Sequence, residues 1–129
     1  MGVQRKAIRF AGSIAASDSD TWSRTIQDNA TLEKVIVHFP PGSEGDLRVT
    51  PYILDAQGQR FPVILVDDDG NVNTYLTGDT YTFDIPVSLP VKKGWTVNVD
   101  YDNQDAVNAH FVDIVFILDE LGGLERVIV

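Results

Sequence analysis

Residues Leu89–Leu118 read LPVKKGWTVNVDYDNQDAVNAHFVDIVFIL. Trp95, Val97, Val99 and Tyr101 alternate with Thr96, Asn98 and Asp100. That period of two belongs to a strand with one face in a core and the other in water. From His110 to Leu118 the chain is almost continuously apolar, which predicts a central strand. Between them, Asp100 to His110 reads as a loop. Its Asp and Asn side chains suit turns, where short polar groups bond nearby backbone. The expectation is two paired core strands joined by a hairpin tip. The alternative for the same loop is a calcium site, because Asp100, Asp102 and Asp105 offer hard oxygen ligands.

The same alternation recurs along the chain. Ile8, Phe10 and Ile14 share a face, with Gly12 between them, and Arg9 and Ser13 take the other. Trp22 and Ile26 alternate with Thr21, Ser23 and Thr25; Val35, Val37 and Phe39 with Lys34 and His38; Tyr81, Phe83 and Ile85 with Thr80, Thr82 and Asp84. Leu47, Val49 and Ile53 continue the series, but Pro51 marks that strand as an edge or bulged one. Phe61–Val66 is an apolar run read as buried on both faces. Val72, Thr74 and Leu76 make a short strand after Asp69-Gly70, a two-residue hairpin signal. Turn clusters such as PPGSEGD (Pro40–Asp46) and the proline-bearing SLPVKKG (Ser88–Gly94) separate the strands.

Helical periodicity is nearly absent, so the chain is all-β. It is expected to form an antiparallel β-sandwich, jelly-roll-like, of about eight or nine strands. An immunoglobulin-like sandwich is the alternative topology. At 129 residues, residues 1–120 make one domain with a core of its own. Residues 121–129 form an apolar tail or an added strand, in which Leu124, Val127, Ile128 and Val129 follow a Gly122-Gly123 hinge. Such a segment either folds back on its own sheet or pairs with the edge of a neighbouring subunit.

Composition excludes several functions. There is no cysteine, hence no disulfide, thiolate metal site or cysteine nucleophile. A formal charge of −9 argues against nucleic acid as a partner. The basic pair Lys92 and Lys93 beside Trp95 is outweighed by surrounding acids. The chain begins without the apolar run of a secretory signal, and no segment is long enough to cross a bilayer. The charge is uneven: Arg5, Lys6 and Arg9 occupy the first strand, while eleven acids and only two lysines lie between Asp67 and Glu120. A basic end and an acidic remainder suit docking between subunits, with Arg5, Lys6 and Arg9 as the electrostatic contact.

The catalytic inventory is thin. His38 lies on the polar face of a strand and His110 at the mouth of the last one, and no nucleophile-elbow motif accompanies either. The chain is therefore expected not to be an enzyme. VDDDGNVNT fails as an EF-hand, because setting Gly70 as the loop glycine puts Leu65 and Leu76 at its terminal ligand positions. Asp67 and Asp69 can still join Asp100, Asp102 or Asp105 in a calcium site between loops. With two histidines and no cysteine, zinc is not expected, and no cofactor is expected either. Sugar recognition needs an exposed aromatic. Among Trp22, Trp95, Tyr52, Tyr75 and Tyr101, both tryptophans sit in phase with core residues, so Tyr75 is the candidate platform.

Three segments together resemble a known group: KAIRFAGSIAASDS, then LEKVIVHFPPGSEGDLRVTPYIL, then YLTGDTYTFDIPVSLPVKKGWTVNVDYDNQDAVNAHFVDIVFIL. FPPGSEGDLRV, the YTFDIPVSLPVKKG approach and the NxDxxNAH connection into the last strand carry the likeness, across most of Arg5 to Leu118. The order is similar to that of the small β-sandwich structural proteins that tailed bacteriophages encode among their virion genes. The resemblance implies a capsid decoration, cement or spike-type protein. Such a protein is made in the host cytoplasm, resides in the virion, and associates with itself and with other virion proteins. It implies no functional residue. The alternative function is a carbohydrate-binding β-sandwich module, with or without calcium, whose partner is a glycan.

Overall fold

The computed structural model describes residues 4–42, 44–63, 65–66 and 72–120. Eight strands carry the fold: β1 (Gln4–Ile14), β2 (Ser19–Thr25), β3 (Ala30–Phe39), β4 (Leu47–Leu54), β5 (Arg60–Pro62), β8 (Tyr81–Val91), β9 (Thr96–Asn103) and β10 (His110–Glu120). Two short strands, β6 (Leu65–Val66) and β7 (Val72–Asn73), pair with each other between β5 and β8. The first sheet has the order β1-β10-β3-β8 and the second β2-β9-β4-β5, with every pairing antiparallel.

The pairings are nested. The outermost strands in sequence, β1 and β10, pair; inside them β2 pairs with β9, β3 with β8, and β4 with β5. Among these eight strands only the β4–β5 connection stays within one sheet; the others cross between sheets. This is the all-β antiparallel sandwich expected from the sequence. The alternating faces meet in one core. Leu32, Val35, Val37 and Phe39 on β3 face Val97 and Val99 on β9, and all are fully buried.

β10 is central, flanked along its whole length by β1 and over most of it by β3. One of its faces is nevertheless outward. Val112, Ile114, Phe116 and Leu118 are buried, whereas Phe111, Asp113, Val115, Ile117 and Asp119 are half-buried or exposed. The expected hairpin between β9 and β10 does not form. The two strands lie in different sheets, and the connecting loop is only Gln104–Ala109, because β9 carries Asp100–Asn103 as strand.

Proline placement also differs from expectation. β4 is interior, between β9 and β5, yet holds Pro51. Val49 exchanges both backbone bonds with Leu76. By alternation Pro51 faces that same side, where β5 reaches only as far as Tyr52. The missing N–H thus falls in a gap of the ladder. β8 does not end at Ile85 but runs through Pro86 and Pro90 to Val91. It tolerates both because it is an edge strand, and a bulge at Ser88 (φ 65°) opposite Glu33 re-phases it so that Val91 is buried. The Phe61–Val66 run is split, with β5 ending at Pro62 and Val63 buried beyond it. The Asp69-Gly70 turn and the tail residues Leu124, Val127, Ile128 and Val129 lie outside the described residues.

Candidate functional site

β1 and β2 are consecutive, and each ends its sheet. Together they bound one open side of the sandwich, and no described strand pairs with the outer edge of either. The seam between them is aromatic. Phe10 stacks on Trp22 with centroids 6.1 Å apart and planes 11° from parallel, and Trp22 meets Tyr101 at 5.0 Å. The Arg24 guanidinium lies 5.6 Å over the Phe10 ring. A shallow cleft of about 510 Å³ runs along the seam, lined by Arg9, Phe10, Gly12, Trp22 and Arg24 among others. Trp22 is half-buried against the core, as its phase predicts, and Trp95 is likewise packed, stacked on Phe61 at 5.5 Å.

The three cations of β1 reach across to β10. Arg5 Nε donates to Asp119 at 3.0 Å, Lys6 Nζ to Glu120 at 3.5 Å, and Arg9 to both oxygens of Asp113 at 2.9 and 2.6 Å. Hydrogen bonding to Asp119 and its charge raise the Arg5 pKa. The Arg5 hydrogen bond in turn holds the Asp119 carboxyl below its usual range. Glu33, bonded to the same Asp119, is pushed up, chiefly by that hydrogen bond. Residues assigned to an intermolecular contact therefore also make ion pairs within the chain. On the outward face, which carries the Arg5 and Arg9 pairs, Ala7, Ile36, Val115 and Ile117 form an apolar strip between them.

The acids of the β9–β10 region have separate partners. Asp100 accepts from Thr21 Oγ1 at 2.6 Å and Tyr52 OH at 2.9 Å and pairs with Arg60 at 3.6 Å. Asp102 accepts from Gln104 Nε2 at 2.6 Å. Asp105 caps its own loop: Oδ1 accepts from the N–H of Val107 at 2.9 Å and of Asn108 at 3.1 Å, and Oδ2 lies 2.9 Å from His110 Nε2. Those bonds, the backbone ones foremost, hold its carboxyl far below the ordinary carboxylate range. Asp67 and Asp69 lie outside the described residues. Among the described residues the one group of three metal-ligating side chains is Asp46, Asp105 and His110. His110 also borders a cleft of about 280 Å³ beside Pro40, Pro41 and Phe111.

The remaining candidates are dispersed. His38 Nδ1 contacts Thr82 Oγ1 at 2.8 Å on the outward face of the first sheet. Tyr75 is 38% exposed, but Arg48 lies over its ring at 4.6 Å from the centroid. Sequence reasoning missed Asp46, which looked like the end of a turn cluster, and Asn103, which looked like a turn residue. Asn103 is 1% exposed, and its side-chain amide donates to the carbonyls of Ile14, Ala15 and Asn108.

No protein-family model matches the chain, and no curated protein matches it either. Its fold is similar to that of the SPBc2 prophage-derived protein YomS, with a TM-score of 0.52 at 10% identity, over 88% of this chain and 95% of that one. It is also similar to VP2 of infectious bursal disease virus, a D431N mutant in T=1 particles. There the TM-score is 0.49 at 12% identity, over 95% of this chain and 33% of VP2. A CocE/NonD family hydrolase from Staphylococcus aureus matches at a TM-score of 0.42 and 11% identity, over 93% of this chain and 36% of the hydrolase. At 10% identity the YomS match shows a shared fold alone, and one fold hosts unrelated functions. Among the described residues no helix is long and apolar enough to cross a membrane.

Proposed function

We propose that this chain is a non-enzymatic structural protein, an oligomeric phage virion component of the capsid decoration, cement or spike type, acting through protein–protein contacts. The observation that supports it is the open β1 edge. It is an 11-residue strand without proline, beside an aromatic seam, with no described neighbour on its outer side. A long uninterrupted edge is a template for another strand, and proteins that keep one commonly cover it. The likeness in fold to a prophage-derived protein agrees with this reading.

The covering segment is proposed to be the tail of a neighbouring copy, through Leu124, Val127, Ile128 and Val129. β10 has a strand on each side, so a chain continuing past Glu120 cannot return beside it as a hairpin. A sheet edge is the available backbone partner. Arg5, Lys6 and Arg9 flank that edge and supply the charge for a neighbour's acids. Such a protein is made in the host cytoplasm and resides in the virion. The test is deletion of residues 121–129 with molar mass measured by light scattering. The full chain is expected to be an oligomer and the deletion a folded monomer. A monomeric full chain, or a deletion with unchanged mass, overturns the tail contact.

A further inference from the structure

We propose that Asp46, Asp105 and His110 form a binding site for a divalent transition-metal ion such as Zn²⁺ or Mn²⁺. One ligand atom from each lies within 4.8 Å of the other two. The three come from different segments: Asp46 precedes β4, Asp105 lies in the β9–β10 loop, and His110 opens β10. The Asp105 and His110 side chains are only 16% and 9% exposed.

The His110–Asp105 distance suits an ion. Two donors each about 2.1 Å from one metal lie about 3 Å apart at right angles and about 3.4 Å apart in a tetrahedral site. His110 Nε2 and Asp105 Oδ2 are 2.9 Å apart. The contact now made by a shared proton can be made by a cation if the neutral imidazole carries its hydrogen on Nδ1. Charge points the same way. Two carboxylates close together repel, and the described ion pairs bring no lysine or arginine to either. A neutral imidazole and two carboxylates leave a charge of −2, which a divalent ion balances.

The surroundings hold the ligands in place. Asp105 Oδ1 is occupied by two backbone N–H groups, and Oδ2 faces His110 while also accepting from Asn108 Nδ2 at 3.3 Å. The Gln104 N–H donates to the Asp46 carbonyl at 2.8 Å, and the Ser17 N–H to the Asp105 carbonyl at 2.9 Å. These backbone bonds fix the positions of the segments that carry the ligands. The donor set selects the ion, since one imidazole with two carboxylates suits zinc or manganese, whereas calcium takes oxygen ligands throughout. This differs from the sequence expectation, in which zinc was not expected and a calcium site at Asp100, Asp102 and Asp105 was the alternative to a plain loop. It is independent of the oligomeric reading.

The experiment titrates chelator-treated full-length protein with ZnCl₂, MnCl₂ and CaCl₂ by calorimetry, beside the Asp46→Asn variant. The expected result is saturable one-to-one binding of zinc or manganese, weaker calcium binding, and at least tenfold weaker zinc or manganese binding in the variant. The two histidines give a second measurement that needs no variant. Substoichiometric Mn²⁺ should broaden the His110 ring signals in an NMR spectrum and spare those of His38. Absence of one-to-one zinc or manganese binding, tighter binding of calcium, undiminished affinity in Asp46→Asn, or equal broadening of both rings would overturn the site.

Discussion

Asn103 Nδ2 donates to the backbone carbonyl of Ile14 at 3.1 Å, tying the end of β9 in one sheet to the end of β1 in the other. The same amide reaches Ala15 and Asn108, so one buried side chain serves carbonyls of two crossing connections. Replacing it by Leu leaves those carbonyls without their donor in a dry place, at about 1–3 kcal/mol for an unsatisfied group. Asn103→Leu is expected to lose about 3 kcal/mol in urea unfolding at neutral pH. A loss under about 1 kcal/mol would count against the hub.

Two glycines should respond oppositely to the same change. A Cβ on Gly78 would sit 2.9 Å from Phe39 Cδ2 and 3.4 Å from Phe83 Cε2, inside packed rings. Gly78→Ala should destabilise by about 1–3 kcal/mol through overpacking. On Gly12 the added carbon would meet Trp22 at 3.5 Å, an ordinary contact. Gly12→Ala should be neutral, or stabilising by up to about 1 kcal/mol, since glycine weakens a strand interior. Thermal melts of the two variants test the contrast.

β10 offers a comparison between its faces. Phe116 is fully buried and meets Phe10 edge-on at 5.9 Å, whereas Phe111 is 43% exposed. Phe116→Ala should cost about 3–5 kcal/mol. Phe111→Ser should stay within about 0.5 kcal/mol. Similar losses at both positions in chemical denaturation would contradict the assignment of the faces.

Tyr52 predicts an alkaline limb in stability. Burial first, then its hydrogen bond to Asp100 and the charge of that carboxylate, raise its pKa, and Arg60 opposes them. A folded value above the unfolded one, near 10, means the neutral hydroxyl binds its proton more tightly in the native state. That contribution is complete below about pH 10 and is lost as pH rises through the folded value. Tyr52→Phe should flatten the fall in urea midpoint above pH 10. It should also remove one late-titrating tyrosine from the ultraviolet absorbance titration. An unchanged alkaline slope would refute the assignment.

Most of the fold was legible because alternation is local. Val35, Val37 and Phe39, or Val97 and Val99, announce their face within a few residues, and the unbroken run of β10 announces a neighbour on each side. What was not legible is what depends on partners distant in sequence. The Asp100–His110 segment was read as a hairpin because adjacent strands commonly pair, whereas β9 and β10 each pair with strands more than 40 residues away. Pro51 reads in the sequence as the mark of an edge or bulged strand and Pro90 as part of a connection, because a gap in a ladder or an edge position cannot be known before the sheets are assembled. The loop cluster was half legible. Asp105 and His110 stand five residues apart, but Asp46 reaches them only through the crossing of the β3–β4 connection over the β9–β10 loop. The tail residues and Asp67 and Asp69 lie outside the described residues, and Tyr75 was found exposed but with Arg48 over its ring.

The nested pairing bears on how the protein is born. β10 is the last of these strands to leave the ribosome, yet it stands in the middle of its sheet. Until residue 120 has emerged, β1 and β3 have nothing between them, and a nascent chain presents their apolar faces to whatever is near. Of the eight strands that carry the fold, only β4 and β5 are paired neighbours in sequence, so assembly is expected to proceed outward from the centre of the chain, with its two ends meeting last. With pairings this non-local, folding should be slow for the size of the domain. A ribosome that stalls before the final strand would release a sticky fragment rather than a shortened protein.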